Sequence, residues 1–142
     1  MAEHNEIGKL GENIATKYLI SKGWAIVERN FHVKGGEIDI IATINTKNSQ
    51  DFHVKYKNLA FIEVKTKKVS TFSEVNIKGN PFSPENNLTP SKRHRLLKAI
   101  KHYLSYRKIN EGDLEIKIMA LIIFLETNSQ KAKVKLYEHF IL

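Results

Sequence analysis

The sequence predicts an α/β fold in which two main helices flank a mixed sheet of about five strands, in the order α-β-β-β-α-β-β. Two segments carry apolar residues at helical spacing, five segments are rich in strand-forming residues, and a long crossover precedes the fourth strand. Strands joined by short turns can pair antiparallel, whereas a helical crossover permits a parallel pair. The 142 residues contain no tract typical of a linker, so we expect one domain over residues 1–142.

The first half of the chain is predicted to contain one helix and three strands. Apolar residues recur at helical spacing over residues 6–22, and Gly23 follows where a C-terminal cap belongs. The apolar stripe of this helix comprises Ile7, Leu10, Ile14, Tyr18 and Leu19. Strands are predicted at residues 24–30, 37–43 and 59–67, separated by a turn at 31–36 and a polar loop at 45–58.

The second half is predicted to contain one helix and two strands. Residues 69–88 are rich in asparagine and form an irregular connection. Thr89 then stands as an N-cap with Pro90 at the first helical position, and the helix runs to about residue 108. Its buried stripe comprises Leu96, Leu97, Ile100, Tyr103 and Leu104. Strands follow at residues 114–126 and 132–141, joined by a turn at 127–130.

The composition excludes several classes of site. The absence of cysteine rules out disulfides and thiolate metal ligands and favours a reducing compartment. The first ten residues lack the apolar segment of a secretory signal, and the longest apolar run, residues 118–125, is far shorter than the roughly 20 residues of a membrane-spanning helix. The six histidines show no paired spacing for a zinc site. We therefore expect a cytoplasmic protein with no membrane segment.

The net charge of +8 indicates a polyanionic partner, with nucleic acid the first choice and an anionic membrane surface the second. A solvated surface that only keeps the protein soluble is the alternative. The second helix favours nucleic acid, because residues 92–108 include no acidic residue and offer a basic face to a phosphate backbone. The basic residues of this helix are Lys92, Arg93, Arg95, Lys98, Lys101, Arg107 and Lys108.

Charged side chains interrupt the two most apolar strands. Because side chains two residues apart share one face of a strand, Glu37 is predicted to lie beside Asp39. The same spacing places Glu63 with Lys65 and Lys67. The opposite faces carry Ile38 and Ile40 in the first of these strands and Ile62 and Val64 in the other.

Neighbouring buried carboxylates predict a cation between them, because charge in a low-dielectric surrounding must be neutralised. A hard divalent cation such as Mg²⁺ prefers a few carboxylates together with water and substrate phosphate. Asp39 and Glu63 would hold it. Lys65 would hold or deprotonate an attacking water and stabilise the charge that develops on a phosphodiester.

Simpler interpretations remain open at this stage. Glu12 lies on the first helix near Gly8 and Ala15, whose small side chains would let this helix approach the sheet closely. It is either a third acid that reaches over the strands or a solvated residue beside the apolar stripe. The Glu-x-Lys pattern occurs again at Glu115 and Lys117, and such pairs are common on exposed sheet faces. A salt-bridged surface is therefore the alternative to a metal site.

Several spaced motifs resemble the YraN-like proteins, bacterial proteins assigned to the restriction-endonuclease-like superfamily with its PD-(D/E)xK site. The motifs are GxxGE at residues 8–12, GWAIVERN at 23–30, GEIDII at 36–41, FIEVKTK at 61–67, and Lys92 with AIKHYL at 99–104. The resemblance runs through most of the chain and implies a restriction-endonuclease-like fold. It also implies that Asp39 and Glu63 are the metal carboxylates, that Lys65 is the catalytic lysine, and that the backbone carbonyl of Val64 faces the metal.

The resemblance extends to Glu12 and has two departures. Glu12 is similar to an acid on the first helix of archaeal Holliday-junction resolvases, where it joins the site. Glu37 matches the family motif, which assigns it no role. In place of the family's Phe-Asp pair the chain has Ile116 and Lys117, and Lys67 stands for an arginine, which keeps the charge and loses bidentate reach.

We therefore expect a Mg²⁺- or Mn²⁺-dependent nuclease acting on DNA rather than RNA, on branched, single-stranded or otherwise structured substrates in repair or recombination. Lys67 and the basic residues of 92–101 would contact the phosphate backbone. The competing interpretation is a non-catalytic nucleic-acid-binding module whose acidic cluster is structural. A homodimer is possible in either case, because an active site this small often borrows substrate-binding surface from a second copy.

Overall fold

The computed structural model describes residues 2–44, 56–73, 89–110, 112 and 114–138. The elements are α1 (Ala2–Ser21), β1 (Trp24–Val33), β2 (Gly36–Ile44), β3 (Asn58–Val69), α2 (Pro90–Tyr106), β4 (Glu115–Glu126) and β5 (Ala132–Tyr137). The predicted element order is confirmed. Most of the predicted loop at 45–58, most of the connection at 69–88 and the end of the last predicted strand lie outside the described residues.

The sheet has the strand order β1-β2-β3-β4-β5. Neighbouring strands are antiparallel except β3 and β4, which pair parallel over their full length. The parallel pair is the one that the helical crossover joins, because a chain that crosses over the sheet can return in its original direction. The prediction of a mixed α/β sheet is confirmed.

The two helices cover opposite faces of the sheet. The α1 face is built from residues such as Leu19, Ile40 and Met119, and the α2 face from residues such as Phe61 and Tyr103. The Tyr103 ring packs edge-on against two phenylalanine rings, with centroids 5.2 and 5.9 Å away. Each helix therefore contributes its own apolar layer, and the sheet separates the two.

Two predicted core residues are exposed. Leu10 of α1 is 48% exposed and Leu97 of α2 is 39% exposed. The buried stripe of α1 contains Gly11 and Ala15 instead, and that of α2 contains Ala99. Leu10 and Leu97 therefore lie at the margins of the two buried stripes.

The close approach of α1 depends on Gly11 rather than on Gly8. A Cβ at Gly11 would overlap the Thr66 hydroxyl of β3 and lie 2.9 Å from the Thr66 Cβ, whereas nothing lies within 4 Å of a Cβ at Gly8. The expectation that Gly8 permits the approach was therefore wrong. The same helix face carries Ala15, which is fully buried as expected.

The hairpin of β1 and β2 differs from the prediction. The predicted turn at 31–36 is shorter, because β1 continues to Val33 and Gly35 takes the left-handed conformation at φ 80°. Asn30 also has a positive φ of 54°, between the paired residues Arg29–Ile40 and Phe31–Ile38. A left-handed residue inside a ladder increases the local twist.

The faces of β2 differ from the prediction. Ile38 packs in the α2 cluster and Ile40 in the α1 cluster, so the predicted common face for these two residues was wrong. Simple alternation holds in β3, where Ile62 and Val64 lie on the α1 side. In the described ranges, no helix has the length and apolar character needed to span a membrane.

Candidate active site

The candidate site begins where β2 and β3 separate. Their ladder has only three residue pairs and stops at Ile40–Ile62. Beyond this point the Asp39 carboxylate replaces the backbone partner, because its Oδ2 accepts a hydrogen bond of 2.8 Å from the Val64 N–H. The Asp39 side chain thereby satisfies a β3 amide that no longer has a partner on β2. We call this point, where β2 and β3 separate, the fork.

At the other end of the same ladder, a side chain also replaces strand pairing. The Asn58 amide donates to the Ile44 carbonyl at 2.7 Å and accepts from the Ile44 N–H at 2.8 Å. The Thr43 hydroxyl donates to the Asn58 carbonyl oxygen at 2.7 Å. These bonds fix the register of β2 against β3, on which the position of Asp39 depends.

The fork opens into a cavity of about 180 Å³ between the sheet and the start of α2. It is lined by Glu37, Asp39, Glu63, Lys92, Arg95 and Leu96. The structure therefore brings the two predicted metal carboxylates to one cavity, which the sequence could only infer from strand spacing. Its walls carry opposite charge, because the acids come from the strands and the basic residues from α2.

The surroundings of the Asp39 carboxyl disfavour its ionised form. Burial raises its pKa from 3.8 to about 7, and repulsion from Glu12, Glu63 and Glu37 adds to the shift. The hydrogen bond from the Val64 N–H opposes it, because this bond stabilises the carboxylate form. A positive charge placed at this site would restore the ionised form at neutral pH.

Glu63 is also shifted upwards. Burial is the main cause of its raised pKa, the positive charges of Lys92 and Lys65 lower it, and Glu37 raises it. The side chain follows Phe61 along β3 with the period of the strand, so it points to the α2 face. The charges of Lys92, Lys65 and Glu37 are thus close enough to Glu63 to affect its pKa.

Lys65 is half-buried two residues further along the same strand. Burial lowers the pKa of its ammonium group, the positive charges of Lys67 and Lys92 lower it further, and Glu63 opposes the shift. A lysine with a lowered pKa gives up its proton more readily than a free lysine, which suits a group that handles water. Lys67 is half-buried on the same strand.

Glu12 approaches the site from α1. Its Oε2 lies 3.6 Å from the Arg29 Nη2, and the same guanidinium donates to the Asn13 Oδ1 at 3.0 Å. Glu12 is near enough to Asp39 to raise the pKa of that carboxyl. Sequence reasoning missed Arg29, although its signal was present: a charged residue inside the apolar strand β1, where no solvated loop explains it.

Glu37 lies at the outer rim of the cavity. Its side chain is 61% exposed and its Oε2 lies 3.4 Å from the His32 Nδ1. An exposed carboxylate is well solvated and needs no metal for neutralisation. Its contribution is therefore electrostatic, since it raises the pKa values of both Asp39 and Glu63.

The residues present fit a hard divalent cation held by few protein ligands. Among the described residues, no three acidic, histidine or cysteine side chains are grouped to hold one ion. Asp39 and Glu63 are oxygen donors that share the cavity, and Mg²⁺ accepts a site of one or two carboxylates completed by water and phosphate. A ligand role for Glu12 or for the Val64 carbonyl stays a prediction.

The predicted basic face of α2 divides into separate groups. Lys92 and Arg95 line the cavity, whereas Lys98 and Lys101 are exposed outside it and Arg93 is half-buried. Arg107 and Lys108 lie at the other end of α2, where the Arg107 Nη2 donates to the Glu28 Oε2 of β1 at 3.2 Å. Sequence reasoning grouped these residues by charge, while the helix rotation decides which of them reach the acids.

Two features place the start of α2 against the cavity. The Thr89 hydroxyl caps the helix by accepting from the Lys92 N–H at 3.2 Å. A Cβ at Gly36 would lie 2.5 Å from the Arg95 carbonyl oxygen, so only glycine allows this close approach of β2 to α2. The Arg95 Nε also donates to the Gly35 carbonyl at 3.4 Å.

Comparison with known proteins identifies relatives over most of the chain. A protein-family model described as "Uncharacterised protein family UPF0102" matches residues 11–121. A UPF0102 protein of Flavobacterium psychrophilum is 33% identical over 140 residues, covering 99% of this chain and 94% of the relative. One of Flavobacterium johnsoniae is 35% identical over 118 residues, covering 82% and 80%. One of Phocaeicola vulgatus is 41% identical over 105 residues, covering 73% and 69%.

Proposed function

The chain belongs to the UPF0102 family, which confirms the resemblance to YraN-like proteins, and we propose that it is a Mg²⁺- or Mn²⁺-dependent nuclease that hydrolyses phosphodiester bonds in DNA. The observation that carries this proposal is the shared cavity of Asp39 and Glu63 at the fork of β2 and β3. Both carboxyls have raised pKa values there, so the site gains from a bound cation.

Each side chain has a distinct task in this reaction. Asp39 and Glu63 would hold the cation, which when bound supplies positive charge to the phosphate and acidifies a water molecule. Lys65, next to Glu63 on the same strand face, positions the attacking water and stabilises the charge that develops on the phosphate oxygens. Glu12 orients water or adds a further carboxylate from α1.

The basic residues of α2 support a nucleic-acid substrate. Lys98 and Lys101 are exposed on the helix whose first turns line the cavity, so a phosphate backbone that enters the cavity can continue along α2. Such contacts read the backbone rather than the bases, which favours recognition of structured or branched DNA over a defined sequence. Action in the cytoplasm, in repair or recombination, is part of this proposal.

A non-catalytic nucleic-acid-binding module is the second candidate. It is favoured by the small number of acids in the cavity and by the pairing of Glu12 with Arg29, which gives that carboxylate a structural partner. In this case the acidic cluster would shape the fork, and α2 would provide the affinity.

Cleavage of labelled DNA separates the two candidates. Single-stranded, linear duplex and four-way-junction DNA, and matching RNA, are incubated with Mn²⁺ or Mg²⁺, and binding is measured by fluorescence anisotropy with Ca²⁺. We expect cleavage by the wild type and its loss by a factor of at least about 10² in Glu63→Gln and in Lys65→Met, with DNA binding retained.

The second Glu-x-Lys pair of the chain provides the matched control. Glu115→Gln and Lys117→Met alter the same residue types on β4, away from the cavity, and should cut at the wild-type rate. Binding without cleavage by the wild type under all conditions would exclude the nuclease and support the module. Equal loss of cleavage in the Glu115 and Glu63 variants would show that the fork is not the active site.

A further inference from the structure

The basic wall of the cavity is not explained by metal binding. Lys92 projects from the first turn of α2 into the cavity that Asp39 and Glu63 line from the sheet. A cation that neutralises two carboxylates has no need of a second positive charge opposite it, and this charge repels it. A negatively charged group between the ammonium and the bound cation would remove this repulsion.

The space for such a group is present. Among the described residues, no carboxylate forms an ion pair with the Lys92 ammonium, although Lys92 lines the same cavity as Asp39 and Glu63. The cavity, about 180 Å³, has several times the volume of one water molecule, about 30 Å³ in the liquid.

Arg95 differs from Lys92 although both line the cavity. The Arg95 Nε is tied to the Gly35 carbonyl, and its backbone is pressed against Gly36. The Lys92 N–H is satisfied by the Thr89 cap, which fixes the residue in the first turn while its side chain remains exposed towards the cavity. In the described part of the chain, the charged group of Lys92 therefore has no backbone hydrogen bond of the kind that holds the Arg95 Nε.

We propose that Lys92 is a second active-site lysine, which contacts the phosphate under attack from the side opposite the metal carboxylates, whereas the other exposed lysines of α2 contribute only affinity. This inference rests on the proposed nuclease function. The group that Lys92 binds would be an internal or terminal phosphate held between this lysine and the cation, with Lys65 of β3 beside it. The role requires a positive charge and not a particular hydrogen-bonding geometry.

A kinetic comparison of two lysines on one helix tests the proposal. Single-turnover cleavage of the best DNA substrate is measured at saturating protein with Mn²⁺, together with the DNA Kd as a function of salt. For Lys92→Met we expect a rate constant lowered by about 10²–10³, as for loss of one group that stabilises developing charge, and a Kd changed less than about threefold. Lys92→Arg should restore most of the rate.

Lys101→Met is the comparison for affinity, because Lys101 is an exposed lysine of α2 outside the cavity. It should weaken DNA binding and reduce the slope of log K against log salt by about 0.9. Lys117→Met on β4, away from the cavity, is the control for the rate and should cut at the wild-type rate. If Lys92→Met cuts at the wild-type rate at saturation and only shows the reduced salt slope of Lys101→Met, the proposal is wrong.

A metal titration without DNA keeps the inference testable even if the wild type cuts nothing. Calorimetric titration with Mn²⁺ should show tighter binding to Lys92→Met than to the wild type, by about threefold or more, because a repelling charge has been removed. Lys101→Met should bind Mn²⁺ like the wild type, and Glu63→Gln should bind it weakly. Absence of cleavage would contradict the nuclease, whereas equal Mn²⁺ affinities of both lysine variants would contradict the placement of Lys92.

Discussion

Opposing effects act on the pKa of the Asp39 carboxyl. Its carboxylate accepts the Val64 N–H at the fork of the sheet, which favours the charged form, while burial and three neighbouring acids favour the neutral form. Burial dominates, since the pKa is raised to about 7. The residue is thus prepared to lose its proton when a cation arrives, and the cost of keeping it charged without a cation falls on the stability of the fold.

This cost predicts a pH-dependent stability of the metal-free protein. A carboxyl whose pKa is raised on folding stabilises the folded state at a pH below its unfolded pKa. This contribution is lost as the pH rises from the unfolded pKa of 3.8 to the folded pKa of about 7. In EDTA, the free energy of unfolding of the wild type should fall relative to Asp39→Asn by about 2 kcal/mol between about pH 5 and pH 8.

Urea denaturation at both pH values measures this difference. The asparagine retains an oxygen that can accept the Val64 N–H, so the fork keeps its hydrogen bond and only the charge is removed. A constant difference between the two proteins across the pH range would show that Asp39 is not desolvated as described.

At the scale of elements, glycine contacts set the distances between layers. Gly11 brings α1 onto Thr66 of β3, and Gly36 brings the start of β2 onto the Arg95 carbonyl of α2. The first contact positions Glu12 and the second positions Lys92 and Arg95. The geometry of the candidate site therefore depends on two glycines at which an added Cβ would overlap a neighbouring atom.

Two glycine substitutions on one helix test this dependence. Gly11→Ala should lower the free energy of unfolding by about 1–3 kcal/mol, because the added methyl group meets Thr66 and forces α1 outwards. Gly8→Ala should raise it by about 0.5–1 kcal/mol, because alanine is the better helix former and the space at Gly8 is open. Thermal or chemical denaturation gives both values, and equal effects would contradict the close contact.

At the scale of the molecule, the sheet carries the acids and α2 the opposing positive charge, while the net charge of +8 attracts polyanions. Three carboxylates therefore share one cavity of a basic protein. Metal binding at this cavity should raise the stability of the whole domain, since a ligand that binds only the folded state stabilises the whole cooperative unit.

Mn²⁺ should therefore raise the melting temperature of the wild type. At a concentration about 100 times the Kd, the expected stabilisation is about 2.7 kcal/mol. Asp39→Asn and Glu63→Gln should lose most of this gain, whereas Glu115→Gln on β4 should retain it. Differential scanning fluorimetry measures the shift, and an equal gain in Glu63→Gln would place the metal elsewhere.

The element order and the mixed sheet could be predicted from the sequence, because apolar periodicity and turn residues act over short distances along the chain. The acids of the site could also be found, since Asp39 and Glu63 interrupt otherwise apolar strands. The faces of β3 followed from simple alternation. Those of β2 did not, because Ile38 and Ile40 pack in clusters on opposite sides of the sheet, so the side chains of this strand do not alternate regularly around Asp39.

The tertiary structure alone decided which charges meet. Glu12 pairs with Arg29, Glu37 stays at the rim, and Lys92 reaches the cavity while Lys101 of the same helix does not. Spacing in a sequence indicates which side chains share an element face where the alternation is regular, as it is in β3. Whether two faces approach closely enough for their charges to interact depends on packing between layers, which here is set by the contacts of Gly11 and Gly36.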